Sequence, residues 1–427
     1  MVCAPSNKAV SVLCTRFLDS LRSFEELPCN IVLVGDDDKL LDDEQSRIKD
    51  GQHRSRLRSI FLYTWIRTVL DHLLILQKFV KRPKFDKREI KRIKKQAISL
   101  SNRLRRSLSR FPEDIGTALD RLIHLLEIGI TKGGVSQREA LDIIDALQKE
   151  IEGWKSDLIW QDLLGSAHII FCTLASAGAG ILKKSVGQID DLIVDEAAAS
   201  SEPELYIPFH FRPERLLAVG DPKQLPATVL SRTAGERGLD KSLHERLMYD
   251  SGYPHIMLDT QYRMKPELSR FPSKYFYGGR VLDGSNVVSQ NSSGPLLLEG
   301  QTYSFLQVNG LEKQSRSGSY ENYAEAQAVV NLVQQASRQM SGRWQSADRI
   351  RIITFYVAQV TLIKRLLYRC RLSDVLVATV DSSQGSEADI VIVSFVRSNG
   401  NSKNESVGFL TDDRRMNVAL TRGMSNI

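Results

Sequence analysis

Six short apolar runs, HIIFCT, DLIVDE, RLLAVG, IRIITF, VLVATV and DIVIVSF, alternate with helical segments between residues 168 and 395. They are rich in β-branched residues and lack a polar face, the pattern of strands buried on both sides. Parallel neighbours need a crossover between them, so this alternation is the rhythm of a doubly wound parallel sheet. The first residues fit the same unit. Val2 and Cys3 read as the end of a buried strand, Ala4-Pro5-Ser6-Asn7 as a tight loop, and Lys8 to Ser20 as a helix with Val10, Leu13, Phe17 and Leu18 on one face.

Residues 36 to about 160 have a different texture, helical and charged, with runs such as REALDIIDALQKEIEGW and almost no strand-like alternation. The block reads as an insertion into an α/β domain. At 427 residues and 42% hydrophobic the chain is long enough for two or three cores. The expected division is 1–35 with 160–255 as a partial first domain, 36–159 as a helical insertion, and 256–427 as a second domain. Ser/Gly-rich stretches at 284–294 and 315–319, and Asn399 to Asn404, read as surface loops.

Five scattered cysteines, with no CxxC pair and no Cys/His cluster, suit a reducing compartment, nuclear or cytoplasmic, and argue against zinc. No basic segment followed by an apolar core opens the chain, so a secretory signal is not expected. The greasiest stretch, SIFLYTWIRTVLDHLLILQKFV at 59–80, carries Arg67, Asp71, His72 and Lys78 and reads as a buried helix, with Trp65, Leu73, Leu74, Leu125 and Leu126 as the insert's core.

The net charge of +7 is concentrated in one element. Residues 81–110 hold thirteen Lys/Arg against Asp86 and Glu89, which leaves the rest of the chain at −4. Phe85, Ile90, Ile93, Ile98 and Leu100 recur there at loosely helical spacing. Two readings stay open: a solvated helix face, or an arm along a phosphate backbone using Lys91, Arg92, Lys94 and Lys95.

Chemistry gathers at the strand ends. In DLIVDE the strand delivers Asp195 and Glu196 to its carboxyl edge, where ligands bind in open α/β sheets. Adjacent carboxylates there can divide labour, one holding Mg²⁺ and one polarising a water. RLLAVGDPKQLP ends a second strand in a turn permitted by Gly220 and leaves Gln224 as a neutral donor and acceptor. LDTQYRM at 258–264 supplies Arg263, a planar cation suited to charge spread over phosphate oxygens.

DEAA, GDPKQLPAT and LDTQYRM, in this order, resemble motifs II, III and IV of superfamily 1 helicases, in the group containing the nonsense-mediated-decay helicase and senataxin. VATVDSSQGSEADIVIVSFVRSN resembles motif V, GFLTDDRRMNVALTRG motif VI, APSNKAV motif Ia and IIFCTLASAGA motif Ib. The resemblance covers everything but the helical insert. It implies two RecA-like P-loop NTPase domains, ATP and Mg²⁺ as cofactors, single-stranded RNA or DNA as partner, and 5′ to 3′ movement. By residue it implies Asp195 on Mg²⁺, Glu196 as the catalytic carboxylate, Gln224 near the γ-phosphate, and Arg263 and Arg422 as fingers. Gly385 and Glu387 would lie along the nucleotide, and Pro5, Ser6, Asn7, Thr173, Thr354 and Thr379 along the nucleic-acid backbone. In this group the insert position holds a helical subdomain over the nucleic-acid channel, which would put the basic run beside the strand.

Two departures stand out: Ala199 where motif II commonly has glutamine, and Gly423-Met424 where motif VI usually continues with Ala and a basic residue. A third concerns the phosphate cradle. No G-x-x-x-x-G-K-[ST] occurs anywhere in the sequence. Such a loop would precede the APSN strand, and a further strand would follow Arg422, so the chain is expected to be an internal fragment of a longer helicase and ATPase-deficient as written. Because the P-loop strand is central in such sheets, the first domain is expected to keep an unpaired apolar edge. The alternative is a nucleotide-independent nucleic-acid-binding or scaffolding protein that kept the surface and lost the engine.

Overall fold

A computed structural model describes residues 1–21, 23, 29–36, 40, 57–82, 87–108, 112–128, 135–289, 302–339, 349–398 and 407–427. By contacts the chain divides into two compact units, Met1–Gly220 and Asp221–Ile427.

The first unit is built on a five-stranded sheet of β1 (Val2–Ala4), β2 (Ile31–Val34), β3 (Ile169–Thr173), β4 (Asp191–Val194) and β5 (Arg215–Ala218), in the order β2-β3-β1-β4-β5. Every pairing is parallel. Helix α1 (Asn7–Ser20) covers one face, its Val10, Cys14 and Leu18 packed with Ile31, Leu33 and Phe171. Burial pushes the Cys14 thiol up to about 12, which makes it an inert core residue. The strands expected from HIIFCT, DLIVDE and RLLAVG are β3, β4 and β5.

At the edge, β5 leaves Leu216 exposed and Leu217 56% exposed. Among the described strands β5 pairs only with β4, so it is an edge of this sheet.

Between β2 and β3 runs the helical insert: α2 (Trp65–Val80), α3 (Lys87–Ser107), α4 (Glu113–Ile128), α5 (Val135–Glu152) and α6 (Ser156–Gly165). Helix α2 packs on α3 and α5, and α4 on α3 and α5. The apolar stripes meet inside: Val69, Leu73 and Leu76 from α2, Ile93, Ala97, Leu100 and Leu104 from α3, Leu119, Leu122 and Leu126 from α4, and Ile144 and Leu147 from α5. Each buried Val, Leu or Ile among them contributes about 1.5–3 kcal/mol. Leu74, expected in this core, is 41% exposed, because it sits one residue past Leu73 and turns off the stripe. No described helix is long and apolar enough to cross a membrane.

The second unit holds a four-stranded parallel sheet of β10 (Ile350–Thr354), β11 (Leu376–Thr379), β12 (Ala388–Ser394) and β13 (Gly423–Asn426), ordered β11-β10-β12-β13. Before it come short pairs, β6 (Thr260–Gln261) with β7 (Leu282–Asp283), and the hairpin β8 (Glu312–Gln314) with β9 (Tyr320–Asn322). The loop expected at 315–319 is that hairpin's turn, closed by Ser315 N–H on Ser319 O at 2.7 Å. Helices α7 (Pro266–Tyr277), α8 (Tyr323–Gln339), α9 (Val357–Arg369) and α10 (Asp413–Leu420) complete the unit. Val329, Val330, Ile350, Ile352, Ile363, Val377 and Ile390 form one core. Of the loops expected elsewhere, Asn399 to Asn404 lie outside the described residues, while Ser285–Val288 forms a helical turn.

Candidate functional site

In the first unit, β1, β3 and β4 run side by side and parallel, so their carboxyl ends share one edge. Pro5, Ser6 and Asn7 follow β1, Thr173 ends β3, and Asp195 follows β4. The exposed Ser6 caps α1, its Oγ accepting from Ala9 N–H at 3.1 Å. Thr173 is buried and caps the next turn, accepting from Ser176 N–H at 3.0 Å and donating to Ser176 Oγ at 2.8 Å. Both hydroxyls therefore stand where extended backbone turns into helix, a geometry their residue types favour.

The carboxylate pair is set by backbone bonds on both sides. Asp195 N–H donates to Cys3 O at 2.9 Å, and Ala197 N–H to Val219 O at 2.8 Å. Between them Glu196 takes φ 52° and ψ 36°. A left-handed glutamate costs about 1 kcal/mol or more relative to ordinary backbone, and such residues persist where the surroundings over-determine them. Gly220 explains part of that constraint. A Cβ there would stand 2.7 Å from Ala198 N and 3.1 Å from Ala197 N. The glycine expected to permit a turn is in fact required by close approach to the backbone after Glu196.

In the second unit the loop from Asp221 to Gln224 is tied down by three side chains. Asp221 Oδ1 accepts from Lys223 N–H at 2.9 Å, and its Oδ2 from Gln224 Nε2 at 3.0 Å and from Tyr277 Oη at 2.6 Å. Asn417 Nδ2 donates to both Tyr277 Oη at 2.7 Å and Lys223 O at 2.9 Å. Burial, then the Asp221 carboxylate, push the Tyr277 phenol far above its ordinary range. Gln224 thus spends its amide NH₂ on Asp221. Nothing in the sequence pointed to Tyr277 or Asn417, which lie 56 and 196 residues from Asp221; only a motif-to-motif pairing search would have found them.

Arg263 and Glu387 meet directly, Nε to Oε2 at 2.7 Å, with Arg263 also donating to Thr421 O at 3.2 Å. Gln261 orders the approach, its Oε1 accepting from the N–H groups of Arg263 and Met264 at 2.9 and 2.8 Å. Gly385 is left-handed at φ 70° with open space where a side chain would be. Arg422 behaves differently: only 1% exposed, it donates to Val418 O, Thr421 Oγ1 and Ser386 O. Thr354 and Thr379 are register partners at the ends of β10 and β11. Thr354 is buried, and Thr379 exchanges hydrogen bonds with Ser382.

The basic run forms α3, and its periodicity separates the two faces cleanly. Ile93, Ala97 and Leu100 point inward while Lys91, Arg92 and Lys95 are exposed. Lys94 is half-buried and paired with Glu127 at 2.6 Å. Phe85, expected on the apolar face, lies outside the described residues.

Two family models, each described as an AAA domain, match residues 1–232 and 239–427. The chain is 38% identical over 299 residues to "Probable helicase MAGATAMA 3" of Arabidopsis thaliana, covering 66% of this chain and 35% of that protein. It is 36% identical over 274 residues to "Regulator of nonsense transcripts 1 homolog" of Drosophila melanogaster, covering 62% of this chain and 22% of that protein. The chain belongs to the superfamily 1 helicases. Its group is that of the nonsense-mediated-decay helicase and senataxin, and "Helicase sen1" of Schizosaccharomyces pombe is 33% identical over 273 residues, 62% of this chain and 16% of that protein. This helicase chain thus spans about a third of the length of the first relative and less of the others. Its two α/β units are RecA-like helicase domains.

The helicase's donor set fits the two halves of a nucleotide site unequally. Asp195, at the carboxyl edge of β4, is an oxygen donor of the kind Mg²⁺ takes alongside phosphate oxygens and water. Among the described residues no three His, Cys, Asp or Glu converge on one point. The sequence contains no G-x-x-x-x-G-K-[ST]. No hydrolytic step is derived for this chain.

Proposed function

We propose that these 427 residues are the strand-gripping core of an ATP-dependent helicase or translocase, and that as written they bind single-stranded RNA or DNA without hydrolysing ATP. The observation that carries this is the edge of the first sheet: Ser6, Thr173, Asp195 and the left-handed Glu196 all stand at the carboxyl ends of three adjacent parallel strands. Strained backbone of this kind clusters at functional sites, which supports a functional role for Glu196. Given a bound nucleotide, Asp195 would hold Mg²⁺, Glu196 would polarise a water, Gln224, Arg263 and Arg422 would face the γ-phosphate, and Gly385 and Glu387 would lie along the nucleotide. ATP supplies the energy for movement when bound.

The chain's own residues keep the other half of the function. Pro5, Ser6, Asn7, Thr173, Thr354 and Thr379 are the proposed backbone contacts: Ser6, Asn7 and Thr379 carry small hydroxyl and amide groups, which suit a backbone held without reading bases, while Thr173 and Thr354 are buried at the strand ends. Lys91, Arg92, Lys94 and Lys95 of α3 add phosphate contacts. The proposed direction is 5′ to 3′ and the proposed residence nuclear or cytoplasmic. The limits 1–35 with 160–255, 36–159 and 256–427 are kept as the proposed functional division, while the contact boundary after Gly220 falls in the loop carrying Gln224.

The test is fluorescence anisotropy of a labelled single strand at several salt concentrations. Binding that weakens with salt is expected, and absence of binding at low salt would reject the proposal. A scaffold that never used nucleotide is the second reading, favoured by the inward-facing Arg422.

A further inference from the structure

Helix α7 carries an aromatic pair that no part of the proposed site uses. Phe271 and Tyr275, one helical turn apart, have ring planes 14° from parallel and centroids 5.4 Å apart. Phe271 is 48% exposed and Tyr275 60%. Phe276 stands edge-on to both rings, with centroids at 6.2 and 4.9 Å. Pro272 sits inside the helix between them and is buried with Ser273, so the turn bearing the rings is fixed from the core side.

Large rings are costly to leave in water, and an offset-stacked pair can be extended by a further flat ring against an exposed outer face. What surrounds them is cationic. Arg270, Lys274 and Arg280 are exposed on the same segment, against the single acidic Glu267 in the helix's first turn. Just beyond Tyr275 the helix ends in Gly278 and Gly279, left-handed at φ 62° and 76°, with open space where side chains would stand. An exposed aromatic stack, three cations and bare backbone suit a partner with π-faces and regularly spaced negative charge. A single strand has both.

We propose that Phe271 and Tyr275 form a base-stacking platform, with Arg270, Lys274 and Arg280 taking the flanking phosphates. The platform rests on the nucleic-acid reading above but is a separate contact, made to bases where Ser6, Thr173 and α3 serve the backbone. It holds any base, because every base has a π-face.

The test compares an oligonucleotide with an abasic strand of the same length and charge, using the full 427-residue chain. Replacing both rings, Phe271→Leu with Tyr275→Leu, is expected to weaken binding of the base-bearing strand by about tenfold or more, from one stacked base per ring lost. Abasic-strand affinity and the salt slope should stay as they were. Phe271→Trp with Tyr275→Trp should restore base-bearing affinity, which separates stacking from fold damage. Equal loss on both strands, or no loss on either, would overturn the platform while leaving the nucleic-acid reading intact. Failure of the unaltered chain to bind any strand would overturn both. Unchanged strand binding together with capture of an aromatic-binding protein would reassign the surface to a protein partner and likewise reject the platform.

Discussion

Tyr277 binds a carboxylate and an amide at once, and its loss should be felt in both stability and pH response. Tyr277→Phe leaves Asp221 with one fewer charge-assisted hydrogen bond and Asn417 with an idle donor, a cost of about 2 kcal/mol. Because burial and Asp221 raise this phenol's folded pKa above its ordinary value, about 10, the contribution is complete below that pH and is lost as pH rises through the folded pKa. Denaturation of both forms from pH 8 upward should therefore show the wild-type advantage shrinking above about pH 10. A difference that stays constant would mean the phenol is not held as described. Glu196 gives the opposite sign: Glu196→Gly should raise stability by about 1 kcal/mol through relief of the left-handed strain. A destabilising effect in urea titration would count against that geometry.

Among elements, α3 and β5 each present one testable face. If α3 tracks a phosphate backbone, Lys91→Gln with Arg92→Gln should flatten the slope of log affinity against log salt by roughly 0.7 per contact. Lys94→Gln should do less, since Lys94 already serves Glu127. An unchanged slope would make α3 a solvated face. At β5, Leu217→Lys should lower light scattering at high protein concentration, because a charge blunts an apolar edge.

The elements themselves were largely legible: HIIFCT, DLIVDE, RLLAVG, IRIITF, VLVATV and DIVIVSF became β3, β4, β5, β10, β11 and β12, because parallel strands inside a sheet need apolar residues on both faces, although β5 is an exposed edge. What stayed hidden were pairings between distant segments. Arg263 meeting Glu387, Tyr277 joining Asp221 to Asn417, and Arg422 folding back on Val418 depend on side-chain direction, which spacing does not encode.

At the scale of the whole molecule, the two units should differ in how firmly they hold. Strand β10 has neighbours on both sides and is buried throughout, whereas β5 is an edge with exposed leucines. Amides of β4 and β5 should exchange faster than those of β10 and β12. Equal protection would mean that β5 is covered in solution. The proposed function joins residues for gripping a strand to a sequence without a G-x-x-x-x-G-K-[ST] loop, and positioning supplies most of the rate in phosphoryl transfer. The most direct measurement is steady-state phosphate release with and without single-stranded RNA or DNA. The expected result is no strand-stimulated release by the 427 residues as written, with release appearing once a strand and P-loop are joined upstream and vanishing on Glu196→Gln. Stimulated turnover by the unextended chain, abolished by Glu196→Gln, would contradict it.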